Sequence, residues 1–253
     1  MKIALVIPVR MNSSRFPGKP LHPICEVPMI ERIYENMQPL ASKLDILIAT
    51  CDAEIADYME SKGATVVMTS SLHQRASDRC AEAIDHIEQS TGYTYNIVTM
   101  LQGDEPLITA DMVWSGLLPL IKEPSLQVTN LLGPINDLNT FHNPNIIKVV
   151  HDNNMNALYF SRLPIPSFVS TTNLKQTGKQ VCSISFQRSV LDKYLKLEPT
   201  ALEEAESIDM LRLLQHGIPV HLVRTNIDTH PVDTIEDIRI VENYLLSRES
   251  NAA

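Results

Sequence analysis

Short runs of unbroken apolarity alternate along the first half of the chain with segments whose apolar positions recur every three to four residues. Residues 3–7, 46–48, 65–68 and 95–101 are runs of the first kind. Continuous rather than alternating apolarity suits strands covered on both faces, as in a parallel sheet. Between them, Met29, Ile30, Ile33, Met37 and Leu40 form one stripe of a helix, with Pro28 suited to its first position. Asp52 suits the N-cap of a helix carrying Ile55, Ala56 and Met59, and Gly63 lies just past its end. Ser77 opens a third, with Cys80, Ala81, Ile84 and Ile87 at helical spacing. The alternation predicts an α/β fold, a mostly parallel sheet flanked by helices, whose ligands meet the carboxyl ends of the strands.

Past about Leu131 the pattern changes. Residues 143–150 and 156–160 predict strands, and the Pro/Ser/Thr-rich stretch 164–176 predicts a mobile loop or lid. It is not a linker, because patterned sequence resumes at 181–186. Helices are expected near 188–196 and 201–216, a strand at 220–223, and a closing helix from Thr234 with Ile235, Ile238, Val241 and Leu245 on one side. We expect a single domain over 1–253 with an inserted arm at approximately 134–180.

Composition narrows the class. Hydrophobic residues make up 44% and charged residues 20% of 253, which excludes a disordered tail, a fibre and a disulfide-stapled miniprotein. No apolar run approaches the ~18–20 residues of a membrane span. The apolar stretch 3–9 is short and followed by Arg10, Arg15 and Lys19, the reverse of a secretory signal. Four scattered cysteines without a C-x-x-C pair indicate a reduced, cytoplasmic chain. A net charge of −9 and few aromatic residues argue against a nucleic-acid partner. Eight dispersed histidines offer no zinc-ligand spacing.

Three segments can carry chemistry. Behind the first strand, Arg10, Ser13, Ser14, Arg15, Gly18 and Lys19 gather three cations and two hydroxyls within ten residues. Hydroxyls, backbone N–H groups and cations are what a polyphosphate needs, although the segment is neither a Walker A loop nor G-x-G-x-x-G. A solvated basic loop has the same composition. Asp104, in Gln102-Gly103-Asp104-Glu105-Pro106 after the strand at 95–101, stands where a phosphate-bound Mg²⁺ would meet a carboxylate, or in an ordinary strand-ending turn. In Val232-Asp233-Thr234-Ile235-Glu236-Asp237, Thr234 to Asp237 matches a capping box with Asp in the place of Glu, which leaves Asp233 as the metal candidate.

Together these segments resemble the 3-deoxy-manno-octulosonate (Kdo) cytidylyltransferase, or CMP-Kdo synthetase, family over nearly the whole chain. The resemblance rests on Arg10-x-x-Ser13-x-Arg15-x-Pro17-Gly18-Lys19-Pro20-Leu21, Gln102-Gly103-Asp104-Glu105-Pro106, Asn143-Pro144-Asn145, Ala157 to Arg162, and Val232-Asp233-Thr234-x-Glu236-Asp237. It implies a Rossmann-like, nucleotide-diphospho-sugar transferase-like fold, a homodimer formed through the arm, and a role in lipopolysaccharide biosynthesis. CTP and a small acidic sugar would be its partners, with no nucleic acid and no membrane insertion. It further implies that Arg10, Ser13, Arg15, Lys19 and Arg75 bind CTP, that Arg79, Gln102 and Asp209 bind the sugar, and that Asp104 and Asp233 bind Mg²⁺. Asp104, Lys19 and Arg10 would carry the catalysis.

The chain also departs from the family. His73-Gln74-Arg75-Ala76-Ser77-Asp78-Arg79 stands where the family has His-Gln-Ser-Gly-Thr-Glu-Arg. Val181 and Ser185 replace a His and a Tyr that face the sugar, and Asp209-Met210 replaces Glu-Gln. These changes predict a roomier, more apolar sugar pocket. Kdo is the family substrate. An amino-substituted octulosonate, a nonulosonate, or a nucleotide-binding regulatory module without turnover are the alternatives.

Overall fold

Every residue of strand β1 (Ile3–Pro8) is buried, as an unbroken apolar run requires of a strand covered on both faces. A computed structural model of the chain describes residues 1–12, 15–73, 75–167, 174 and 177–252, apart from the side chains of 249–252. After β1 come the short strands β2 (Pro23–Ile24) and β3 (Val27–Pro28), then helix α1 (Met29–Met37), which buries Met29, Ile30, Ile33 and Met37. Pro28 caps this helix rather than opening it, and Leu40 falls in a separate 3₁₀ turn, Gln38–Leu40, with Pro39 inside it. Next are β4 (Asp45–Thr50), α2 (Ala53–Ser61), β5 (Thr65–Met68) and α3 (Ala76–Thr91). Strands β1, β4 and β5 run parallel, with Val6 opposite Leu47 and Ile48 opposite Val66.

The chain divides into two compact units. The first comprises Ile3–Thr94, Met100–Ala110 and Thr229–Ala253; the second comprises Met1–Lys2, Tyr95–Thr99 and Asp111–Asp228. Strand β6 (Ile97–Leu101), wholly buried, gives its first three residues to the second unit and its last two to the first.

The second unit contains α4 (Ala110–Lys122) from Asp111 onward, β7 (Val128–Gly133), α5 (Leu138–His142), β8 (Lys148–His151), β9 (Ala157–Ser161), β10 (Gly178–Gln187), α6 (Arg188–Leu195), α7 (Ala201–Glu206), α8 (Met210–Gln215) and β11 (Val220–Arg224). β11 lies parallel to β7, whereas β10 runs antiparallel to β7 and β8, and β8 to β9. The sheet is therefore mixed; of its antiparallel strands β8 and β9 fall in the region expected as an arm, whereas β7 and most of β10 lie outside it. Most of the predicted loop at 164–176 lies outside the described residues. Lys148 shapes the turn at Asn143: its buried ammonium donates to the carbonyls of Asn143 (2.8 Å), Ile146 (2.6 Å) and Arg162 (2.5 Å). Burial, and then the charge of Arg162, push its pKa down to about 8. The single helix predicted over 201–216 is in fact two. Ser207 turns at φ 54° between them, and Arg162 takes the carbonyls of Glu206 and Ser207 through Nε and Nη2.

The chain ends in α9 (Ile235–Ala252), which returns to the first unit. Among the described residues no helix is long and apolar enough to cross a membrane, and none of the four cysteines is in a disulfide.

The corner between α7 and α8 is closed by a buried two-point ion pair. Arg212 Nε and Nη2 each lie 2.7 Å from a Glu203 oxygen, and the guanidinium sits 4.6 Å from the Tyr194 ring centre. Removing one charge strands the other in a dry site. Glu203→Gln should therefore cost about 3 kcal/mol, read as a lower urea midpoint for a chain whose native far-UV spectrum is kept.

Candidate functional site

The first unit gathers its polar side chains where β1, β5 and β6 end. The loop after β1 is tied down at several points. Val9 N donates to Ala49 O, Met11 N to an Asp52 carboxylate oxygen at 2.8 Å, and Gly18 N to Met11 O at 3.1 Å. Gly18 holds φ 76°, which a side chain would strain, and the turn it makes aims Lys19 inward. Asp52 is thus spent on this loop rather than on capping α2, for which its side chain makes no bond.

Lys19 joins two distant segments. Its Nζ lies 3.2 Å from Asp104 Oδ2 and donates to Val232 O at 2.8 Å, while Val232 N donates to Asp104 O at 2.9 Å. Asp104 can approach this closely because Gly103 precedes it: a Cβ there would overlap the Val9 side chain. Asp233 follows Val232 and accepts from Arg15 Nη2 at 2.7 Å through Oδ1. Its other neighbour is Asp237, whose Oδ2 accepts from the backbone N–H groups of Asp233 (2.9 Å) and Thr234 (2.8 Å).

The electrostatics are uneven. Burial, and then the charge of Asp104, hold the Asp233 carboxyl above the usual range, against the pull of Lys19 and Arg15. A folded-state pKa above the unfolded value means that ionised Asp233 works against stability at neutral pH, by an amount that grows as pH rises through that pKa. Asp104 Oδ1 is buried and accepts no hydrogen bond from the described residues.

On the far wall stands the start of α3. Arg79, 3% exposed, donates Nη1 to Thr69 Oγ1 at 2.5 Å, while its buried Nη2 has no partner among the described residues. Arg75 occupies the N-cap of α3. His73 meets Glu82 at 2.6 Å, and the Ser70 N–H bonds the same oxygen. Burial works to raise the Glu82 carboxyl, but these bonds hold it below the usual range.

Of these groups, Arg15, Lys19, His73, Arg79, Asp104 and Asp233 line a cavity of about 300 Å³, at the lower end of small-molecule sites. Five cationic side chains (Arg10, Arg15, Lys19, Arg75, Arg79) face it against two carboxylates, Asp104 and Asp233. In a chain of net charge −9 this is a local inversion of sign, suited to a polyanion.

Most of the residues expected at the site therefore converge: Arg10, Arg15, Lys19, Arg75, Arg79, Gln102, Asp104 and Asp233 all line the cavity. Ser13 lies outside the described residues. Asp209 belongs to the second unit, at the N-cap of α8. Val181, Ser185 and Met210 are buried in that unit, Ser185 with its hydroxyl 2.8 Å from that of Thr99. His73, Thr69 and Glu82 were not anticipated as site residues, because their roles come from contacts with no local sequence signal. Among the described residues no group of three or more His, Cys, Asp or Glu could hold a metal ion unaided.

A sequence model of the cytidylyltransferase family matches residues 4–227. The 3-deoxy-manno-octulosonate cytidylyltransferase of Geobacter metallireducens is 36% identical over 96% of this chain and 97% of its own length. That of Thermodesulfovibrio yellowstonii is 38% identical over 95% and 96%. A solved CMP:2-keto-3-deoxy-manno-octonic acid synthetase in complex with CTP superposes with a TM-score of 0.85 at 32% identity, covering 98% of this chain and all of that one. A 4-diphosphocytidyl-2C-methyl-D-erythritol synthase from Anaerococcus prevotii, at TM-score 0.63 and 13% identity, shares the fold. A cation-lined cavity at the ends of parallel strands, a family match spanning most of the sequence and close full-length relatives agree: the chain is a nucleotidyltransferase that belongs to the 3-deoxy-manno-octulosonate cytidylyltransferases of the cytidylyltransferase family.

Proposed function

We propose that this enzyme transfers CMP from CTP to the anomeric hydroxyl of a 2-keto-3-deoxy sugar acid, with Kdo the first candidate, and releases pyrophosphate. The observation that carries the reading is the pair Asp104 and Asp233, two carboxylates close enough for one to raise the pKa of the other, set among five cations. The residues also fit Mg²⁺. Asp104 Oδ1 is buried without a hydrogen bond, the donors are hard oxygens, and a two-carboxylate site leaves positions for water and phosphate oxygens. When bound, Mg²⁺ would neutralise phosphate charge and lower the pKa of the attacking hydroxyl.

The chain's own residues have separate tasks in this reading. Arg10, Arg75 and Arg79 supply charge for the triphosphate, and the unpartnered Nη2 of Arg79 is a donor already desolvated and fixed. Lys19 holds Asp104 and the Val232 carbonyl in register, which sets the spacing of the two carboxylates. Arg15 neutralises Asp233. With the reactants fixed, the sugar oxygen forms its bond to the α-phosphorus as the bond to the leaving pyrophosphate breaks, and the hydroxyl proton passes to water. A homodimer built through residues 134–180, acting in the cytoplasm on the way to lipopolysaccharide, completes the proposal.

The acceptor is the part of the reaction on which the chain's departures bear. A polar pocket gains selectivity because a wrong ligand leaves buried groups unpaired, and the chain carries apolar Val181 and Met210 in place of the polar residues of the family it resembles. We therefore propose that a less hydroxylated or bulkier 2-keto acid competes with Kdo. Pyrophosphate release, measured with each nucleoside triphosphate against a panel of sugar acids, tests both statements. Turnover with CTP and at least one such acid is expected. None with any acid would end the transferase reading, and a low-micromolar Kdo KM with no competitor would end the altered-specificity part.

A second expectation concerns the metal carboxylates. Asp104→Asn and Asp233→Asn should each lower turnover by roughly a hundredfold or more, because one carboxylate is a large share of the protein's hold on the ion. Since ionised Asp233 works against stability, Asp233→Asn should melt no lower than the parent in the absence of divalent cation. Mg²⁺ with CTP should raise the melting temperature of the parent more than that of either variant. Near-normal turnover at limiting Mg²⁺ would remove that residue from the site.

A further inference from the structure

Asp233 leaves the chain at the junction between an irregular segment and α9, where backbone freedom would blur the position of its carboxylate. The junction is held on both sides. On the amino side, the N–H and C=O of Val232, which is fully buried, are taken by Asp104 O and Lys19 Nζ. On the carboxyl side, the Asp237 carboxylate collects three donors on one oxygen: Asp233 N (2.9 Å), Thr234 N (2.8 Å) and Thr234 Oγ1 (3.1 Å). Its other oxygen meets His230 Nε2 at 2.8 Å. An ionised carboxylate only accepts, so His230 donates and fixes the plane of the Asp237 carboxyl. A helix cap needs only the bond to Thr234. The bond to Asp233 N and the contact from His230, which precedes the helix by five residues, exceed that need.

We propose that Asp237, oriented by His230, is a positioning residue: it fixes the Asp233 backbone so that the Asp233 carboxylate stays opposed to Asp104. The arrangement is the chain His230, Asp237, Asp233 backbone, cation. It is a polar support behind a ligand, and such supports commonly affect metal affinity by ~10–100-fold. The proposal rests on the reading that Asp233 holds a divalent cation, and its test separates the two.

Mn²⁺ serves as the probe, its free concentration followed by electron paramagnetic resonance as it is titrated into the full chain without nucleotide. Asp237→Ala should weaken Mn²⁺ binding by about tenfold or more, Asp237→Asn by less, and His230→Ala, which leaves the cap to Thr234 in place, by about threefold. In steady state, Asp237→Ala should raise the Mg²⁺ concentration for half-maximal rate and lower kcat, while the KM for CTP stays within twofold. A merely structural role would not make that split. A folded Asp237→Ala chain that binds Mn²⁺ within twofold of the parent overturns the proposal. If that variant does not fold, parent-like Mn²⁺ binding by His230→Ala overturns it instead. Asp233→Ala is the control: if it binds Mn²⁺ like the parent, the cation reading itself is wrong and the positioning role falls with it.

Discussion

The candidate site depends on one ammonium group. Lys19 Nζ bonds Asp104, 85 residues away in sequence, and the carbonyl of Val232, 213 residues away. Without it, Asp104 would lose its cation, and only Arg15, on Asp233, would remain to offset the repulsion between the two carboxylates. Lys19 is itself delivered by a loop that Asp52 and Gly18 hold in shape. A strand end, a helix start and a turn glycine are thus coupled through one side chain, and a polar contact of this kind is worth more in a shielded site than on an open surface.

The site is costly to the ligand-free protein, and the cost is informative. Burial, and then the charge of Asp104, hold the Asp233 carboxyl above its ordinary pKa. Asp104 Oδ1 and Arg79 Nη2 are both buried without a partner. A fold selected for stability alone would remove such groups; sites that bind charged reactants retain them and recover the energy on binding. An acceptor atom of Asp104 and a donor atom of Arg79, each with no partner among the described residues and both from residues lining one cavity, match a reactant that carries both a polyanion and a cation.

Much of the fold was legible because its determinants are local. Strands β1 and β4 announce themselves as unbroken apolar runs, and α1 to α3 as stripes; β5 has the same pattern but ends the strand order, with only Val67 of its four residues buried. Where local rules failed, a distant group had intervened. The helix expected over 201–216 breaks where Ser207 turns at φ 54° and Arg162 captures the carbonyls of Glu206 and Ser207. Asp52, a natural helix cap by position, is drawn to Met11 instead. Helix α4 gave no signal, since Gly116 and Pro119 interrupt a segment that is otherwise apolar on most sides. At the site, residue types and motif spacing identified the cations and both carboxylates. Which cation meets which carboxylate is a matter of tertiary pairing, as are the unpartnered Arg79 nitrogen, the His73–Glu82 contact and the support of Asp233 by Asp237. No pattern along the chain encodes these.

The central claim is that Asp104 and Asp233 together hold the divalent cation that accompanies CTP. Crystals grown with CTP and Mn²⁺, measured at a wavelength where manganese scatters anomalously, test it most directly. The account predicts an anomalous peak bonded to Asp104 Oδ1 and to an Asp233 oxygen, with phosphate oxygens completing its shell. A bound CTP whose manganese lies away from both carboxylates, with Asp104 still tied only to Lys19, would contradict it.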